Sequence, residues 1–219
     1  MKRFFYLILL SFFFTVDIFA RAGGGGSGGG NGRAIGIVFT IVFFCLLYYR
    51  TRQSKKQILF SGKIDPIWNY NKLCQYANNS FIRMQEVWMK KNLDLVQDLI
   101  TDNCKEDLSK IIKHMNFVNE KNYVEKIKIK KTKIVGCEDY ADNEKDTFIA
   151  YFYGSMIDYT IAGLSGNIVN GSKKSRTKFR DLYSFQRHND IWLIDKINND
   201  VDIKSLYKAK HKIEKVTKT

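Results

Sequence analysis

The chain has 219 residues, a formal net charge of +14 and a single proline, Pro66, against 16 Phe, 12 Tyr and 3 Trp. So aromatic-rich and proline-poor a composition excludes a disordered chain. With roughly the first fifty residues set aside as non-globular, what remains is the size of one domain and can bury a core without disulfides or metals. The charge surplus favours acidic partners (anionic lipid, RNA or an acidic protein surface), and position along the chain has to choose among them.

Residues 1–22 read as a secretory signal peptide. Lys2 and Arg3 form a basic start, Phe4 to Phe14 is an apolar run broken only by Ser11, and Ala20-Arg21-Ala22 fits the small-residue cleavage pattern. An uncleaved anchor over the same residues is the alternative. Residues 23–33 are a Gly-rich loop, almost without side chains to bury, and they lack the Gly-Lys-Ser/Thr of a phosphate-binding loop. Residues 34–49 are uncharged and apolar. As a helix they span about 24 Å, short but sufficient for one transmembrane helix, with Tyr48 and Tyr49 at headgroup level. Arg50, Arg52, Lys55 and Lys56 follow with no acid before Asp65, so the positive-inside bias puts the C-terminal side in the cytoplasm. Residues 50–72 are then a basic juxtamembrane linker beside anionic headgroups.

From Leu73 to Phe117 apolar residues recur at helical spacing: Phe81, Met84, Trp88, Leu95 and Leu99, then Leu108, Ile111, Ile112 and Met115. Asn92 and the Thr101-Asp102-Asn103 cluster are the expected breaks and caps. The period then changes to two. Glu125-Lys126-Ile127-Lys128-Ile129 alternates, Lys130-Lys131 breaks the alternation, and Thr132-Lys133-Ile134-Val135 resumes it, which predicts a β-bulge at the lysine pair. Residues 147–161 form a long second strand. A Gly-rich turn region covers 163–171, and two further strands fit 179–187 and 191–197 around His188-Asn189-Asp190. Residues 200–219 are a basic, weakly helical tail. Helices followed by four meandering strands give an α+β domain over 73–199, with the helices packed on a curved antiparallel four-stranded sheet. Under the helices such a sheet leaves room for a pocket lined by Phe148, Tyr151, Phe152, Phe185 and Trp192, the competing arrangement being a filled aromatic core.

At the strands the chain resembles a known family. Gly154-x-Met156-Ile157-Asp158-Tyr159, Gly166-Asn167-Ile168-Val169-Asn170-Gly171, Phe179, Tyr183-Ser184-Phe185-Gln186-Arg187 and Trp192-Leu193-Ile194 follow in order the pattern of the Tim-forty-four-like domain family, which takes its name from the membrane tether subunit of the mitochondrial import motor. Arg180-Asp181-Leu182 departs from the family, which usually has Glu in that approach. The resemblance implies a nuclear-transport-factor-like cone with a deep apolar pocket, attachment to an energy-transducing membrane, contact with acidic phospholipids, and scaffolding in place of catalysis. It does not extend to chaperone recruitment, because the long N-terminal segment that does this in the mitochondrial tether is missing here.

Two basic clusters are candidates for a lipid or acidic-partner surface: Lys126, Lys128, Lys131 and Lys133 on the first strand, and Lys173, Lys174 and Arg176, continuing to Lys178 and Arg180, in and after the turn region. The plain alternative is a solvated strand edge protected against aggregation. Gly154, Asp158, Tyr159 and Arg187 are read as structural. Neighbours in a strand face opposite ways, so Asp158 and Tyr159 cannot share a catalytic pocket, and Asp158 is expected to pair with a base such as Arg187. No catalytic residue, cofactor or metal site is expected: His114, His188 and His211 are scattered, and Cys45, Cys74, Cys104 and Cys137 have neither zinc nor disulfide spacing. Arg and Lys are not interleaved with exposed aromatics, which argues against nucleic acid. The expected function is a tether or scaffold in the inner membrane, single-pass after signal cleavage, its C-terminal domain cytoplasmic. Its partners would be anionic phospholipid and an unidentified protein. The alternatives are a periplasmic secretion-system scaffold of similar fold and a ribosome- or RNA-contacting adaptor.

Overall fold

The computed structural model describes residues 31–163 and 165–214; the signal-peptide segment and most of the Gly-rich loop lie outside them. From Val42 onward the described residues form one compact unit.

The first helix, α1, runs without interruption over Asn31–Ser61. From Phe43 onward its buried positions are Phe43, Leu46, Leu47, Thr51, Ser54, Ile58 and Ser61. That is a continuous stripe at intervals of three and four, and in its second half hydroxyl groups let the backbone come close. The hydroxyls are satisfied: Thr51 Oγ1 donates to Leu47 O at 2.7 Å, Ser54 Oγ meets His211 Nε2 at 2.9 Å and Ser61 donates to Asp139. Two expectations are corrected here. Residues 50–61 are a docked helix and not a linker, because their small-residue face fits against the domain. Among the described residues no helix is long and apolar enough to cross a membrane. The run 34–49 ends at Arg50 within the same helix, and Phe43, Leu46 and Leu47 are already buried against protein.

Helix α2 (Tyr70–Lys90) starts where the Asn69 side chain accepts from the N–H groups of Asn71 and Lys72, and it ends at left-handed Lys91. It buries Leu73, Ala77, Phe81, Met84 and Val87. Asn92 caps a short 3-10 turn, and Thr101 caps α3 (Asp102–Phe117) by accepting from Cys104 N, as the cap chemistry of both sites predicts.

The strands are β1 (Glu120–Asp139), β2 (Thr147–Ala162), β3 (Ile168–Gly171), β4 (Thr177–His188) and β5 (Ile191–Asn198). A short helix α4 (Ile203–Lys208) and strand β6 (His211–Ile213) complete the chain. The sheet order is β5-β4-β2-β1-β6, with β3 also paired to β2. Register shifts in β1 fall between Glu125 and Lys128, between Ile129 and Lys131 and between Ile134 and Gly136. The second is the bulge expected at the lysine pair, and the three together bend the longest strand of the sheet. The expected four-stranded antiparallel sheet is thus six-stranded and mixed. β3 rises out of the Gly-rich region, and β6 adds in parallel to Cys137–Asp139 of β1, covering an edge that would otherwise be bare.

Helices α2 and α3 pack on the inner face of the sheet. There Phe81 lies 5.0 Å from both Phe152 and Phe179 and 5.5 Å from Tyr183 (ring centroids), while Phe148 stacks on Phe185 at 4.4 Å and meets Trp192 edge-on at 4.9 Å. Val135, Tyr151 and Leu182 point to the outer face and are covered by Phe43, Leu46 and Leu47 of α1 with Leu206 and Ala209. Period two sorts these residues: even-numbered Phe148, Ala150 and Phe152 face in, and odd-numbered Tyr151 and Tyr153 face out.

Candidate functional site

Residues paired directly across a sheet share a face. Lys128, Lys131 and Lys133 pair with Ser155, Tyr153 and Tyr151, which in turn pair with Lys178, Arg180 and Leu182. Tyr151 and Leu182 belong to the outer core, so these rows lie on the outer face. Basic segments far apart in sequence therefore meet there side by side. The Lys133 ammonium is pushed down first by burial, then by the like charges of Lys131 and Lys55; Lys55 of α1 itself lies over the Tyr70 ring, 4.8 Å from its centroid. Arg180 lies over the Phe43 ring, 5.2 Å from its centroid, and Lys173 over the Tyr159 ring at 5.2 Å. Lys174 is exposed. Arg176 has a structural task, its guanidinium donating to Ser155 Oγ at 3.1 Å, to Ser155 O at 2.8 Å and to the Lys126 carbonyl. Lys126 stands exposed at the first bulge with φ 52°.

The inner face carries a cleft of about 1390 Å³. Its apolar wall includes Trp88, Leu108, Ile111, Met156 and Phe179, and it also holds Asp158, Asp181 and Asp195. The aromatic residues expected to line a pocket do not line this one. Phe148, Phe152 and Phe185 are fully buried and Trp192 is buried with them, filling the core under α2, while Tyr151 is on the opposite face against Phe43, 6.3 Å away. The aromatics pack too tightly on one another to leave a cavity, which opens further along the sheet beyond Phe179.

Asp181 is 6% exposed, and no described residue hydrogen-bonds or ion-pairs with its carboxylate. Burial alone pushes its pKa up to about 7. Asp195 accepts from Thr101 Oγ1 at 3.0 Å and lies 3.8 Å from the exposed Lys196 ammonium. Asp158 is raised by burial, and the Asn122 amide nitrogen 3.2 Å from its Oδ1 opposes the rise. Asp181 was missed in the sequence, although its place between Phe179 and Tyr183 on a period of two marks it as inward-facing.

The expected pairing of Asp158 with Arg187 is corrected. Arg187 is 4% exposed and binds Asp65, Asp190 and, at 3.2 Å, Asp146. It thereby ties the loop after α1 to two turns of the sheet. Burial works against the Arg187 cation, but Asp190, Asp65 and Asp146 outweigh it and hold it charged. Tyr159 faces away from Asp158, stacked on Tyr123 at 5.1 Å with ring planes 6° apart. Gly154 has a steric reason: a Cβ there would collide with the Lys128 carbonyl and the Phe179 ring.

Helices on one face of a curled mixed sheet, a cleft beneath them and a cationic opposite face define an α+β domain. The pattern of the Tim44-like domain matches residues 58–199, and the chain belongs to that family. The matched span opens in the last turn of α1 and closes just after β5. Among solved structures, the chain is similar to the crystal structure of the intermembrane space region of the chloroplast protein ARC6, at 8% identity and a TM-score of 0.40, over 57% of this chain and 94% of that one. No curated protein matches the chain by sequence.

Proposed function

We propose that this protein is a membrane-surface tether: its cationic outer face lies against anionic headgroups, and the domain holds a partner protein there. The observation that carries this reading is the convergence of Lys128, Lys131, Lys133, Lys178 and Arg180 on one face. Asp181, the acid of β4, points into the inner cleft. Near an anionic surface each such cation adds about 1 kcal/mol, and the sum is enough to orient a domain. Membership of the Tim44-like family agrees with a scaffolding role that involves no catalytic step. The described cysteines, all unpaired, suit the reducing cytoplasmic side of an inner membrane.

The test is co-sedimentation of the full chain with phosphatidylcholine vesicles, with and without cardiolipin. Cardiolipin strengthens binding, added salt weakens it, and the double substitution Lys131→Glu/Arg180→Glu lowers the cardiolipin-dependent part about tenfold or more. If the double variant binds cardiolipin vesicles as the parent does, the outer face is not the contact surface.

A further inference from the structure

The acid-containing end of the inner cleft has features that a membrane tether does not use. Asp181 sits on β4 directly across from Phe152, flanked on its own face by Phe179 and Tyr183. Its carboxylate opens onto the cleft, and nothing in the described structure donates to it or neutralises it. In a chain with a net charge of +14 a nearby lysine would be easy to supply. Lys178, Arg180 and Lys196 do border the cleft, yet none of them ion-pairs with Asp181, and the Arg180 guanidinium lies over the Phe43 ring instead. A carboxylate that is largely desolvated, touches only the cleft and has no protein donor is costly to ionise, and an apolar residue or Asn would fit this position with less penalty. Asp158 is different: it lies six positions along β2 from Phe152, roughly 20 Å away, and has the Asn122 amide as donor. Asp195 also has a donor in Thr101.

We infer that the cleft binds an amphipathic cation, with an ammonium group on the Asp181 carboxylate and an aliphatic tail along Leu108, Ile111, Met156 and Phe179. The head supplies the missing donors and opposite charge in a partly desolvated site, where a charge-assisted hydrogen bond is strong. The tail covers an apolar wall on which Ile111 is otherwise 48% exposed. An anionic amphiphile such as a fatty acid has no such place, because its head would meet Asp181 as a like charge.

Isothermal titration calorimetry of the full chain at pH 8 with octylammonium chloride, 1-octanol and sodium octanoate tests this. Octylammonium binds at least about tenfold more tightly than octanol, and octanoate more weakly than either. Asp181→Asn, which is close to isosteric, brings octylammonium to the level of octanol and leaves octanol itself unchanged. Equal affinities of octylammonium and octanol for the parent chain, or full retention of the preference in Asp181→Asn, overturn the assignment. Cardiolipin co-sedimentation of Asp181→Asn stays at the parent level, so failure here and failure of the tether reading are separate results.

Discussion

Replacing Asp181 by Asn stabilises the protein at pH 8 and has almost no effect near pH 4. In the folded state the carboxyl titrates at about 7, against an ordinary value of 3.8. The sign follows from which state holds the proton. Below pH 3.8 both states are protonated and the acid is neutral in each. Between 3.8 and 7 the unfolded chain releases its proton while the folded chain keeps it, so stability falls as pH rises. Above 7 both states are ionised and the full loss is present. Three units at about 1.36 kcal/mol each give an upper limit of about 4 kcal/mol, and solvent entering the open cleft reduces this to roughly 2–4 kcal/mol. An asparagine never carries the charge and so avoids the loss. Urea unfolding of parent and variant at intervals from pH 4 to pH 8 measures it: the two curves should coincide at the acid end and diverge steadily to pH 7. Parallel curves, or a variant less stable at pH 8, would refute the claim that this carboxylate is buried without a partner. An amphipathic cation should close the same gap for the parent alone.

The opposite slope belongs to His211, whose pKa is lowered to about 4 by burial and by Arg50. The unfolded chain takes up the proton first, so His211 makes stability rise between pH 4 and 6.5 by up to about 3 kcal/mol, and the same urea series on His211→Gln should lose that rise. Arg187→Ala leaves Asp146 buried without its counter-charge and should cost about 3–5 kcal/mol in chemical denaturation. Arg187→Lys should rescue little of this, since one ammonium cannot serve carboxylates arranged around a planar guanidinium. Gly154→Ala drives a methyl group into the Lys128 carbonyl and the Phe179 ring and should destabilise by about 1–3 kcal/mol, seen as a lower Tm.

The family's sequence pattern acquires a physical meaning in this fold. Phe185 and Trp192 are packed around Phe148, and Arg187, two residues beyond Phe185, gathers Asp65, Asp146 and Asp190 from three separate turns. The motif therefore ties the turns at one end of the sheet to the loop after α1. The cleft opens at the other end, beyond Phe179, where the aromatic filling stops. The departure Arg180-Asp181-Leu182 falls where the two candidate surfaces meet, with Arg180 facing out toward Phe43 and Asp181 facing into the cleft.

Much of the local structure was legible. The spacing of Phe81 and Met84, the caps at Asn92 and Thr101, and the broken alternation at Lys130-Lys131 each depend on residues within a few positions, and each lies where the pattern places it. The apolar run before Arg50 was legible as a helix, but not the burial of its Phe43, Leu46 and Leu47 against protein, because hydropathy treats burial in lipid and burial against Val135, Tyr151 and Leu182 alike. The aromatic residues were legible as buried but not as a filled core. Whether Phe148 and Phe185 stack or stand apart depends on the β2–β4 register and on what α2 inserts between them.

What the sequence determined by itself is the order and type of the main elements and the period-two code that puts Asp158 and Tyr159 on opposite faces, since those follow from backbone geometry and nearest neighbours. Tertiary structure alone decided which distant segments became neighbours. Register set Lys131 in one row with Arg180, the return of β6 made the sheet mixed, and the packing of α2 and α3 left Asp181 buried with no donor. These outcomes depend on pairings between residues tens of positions apart, which compete as whole arrangements, and no local signal records which arrangement wins.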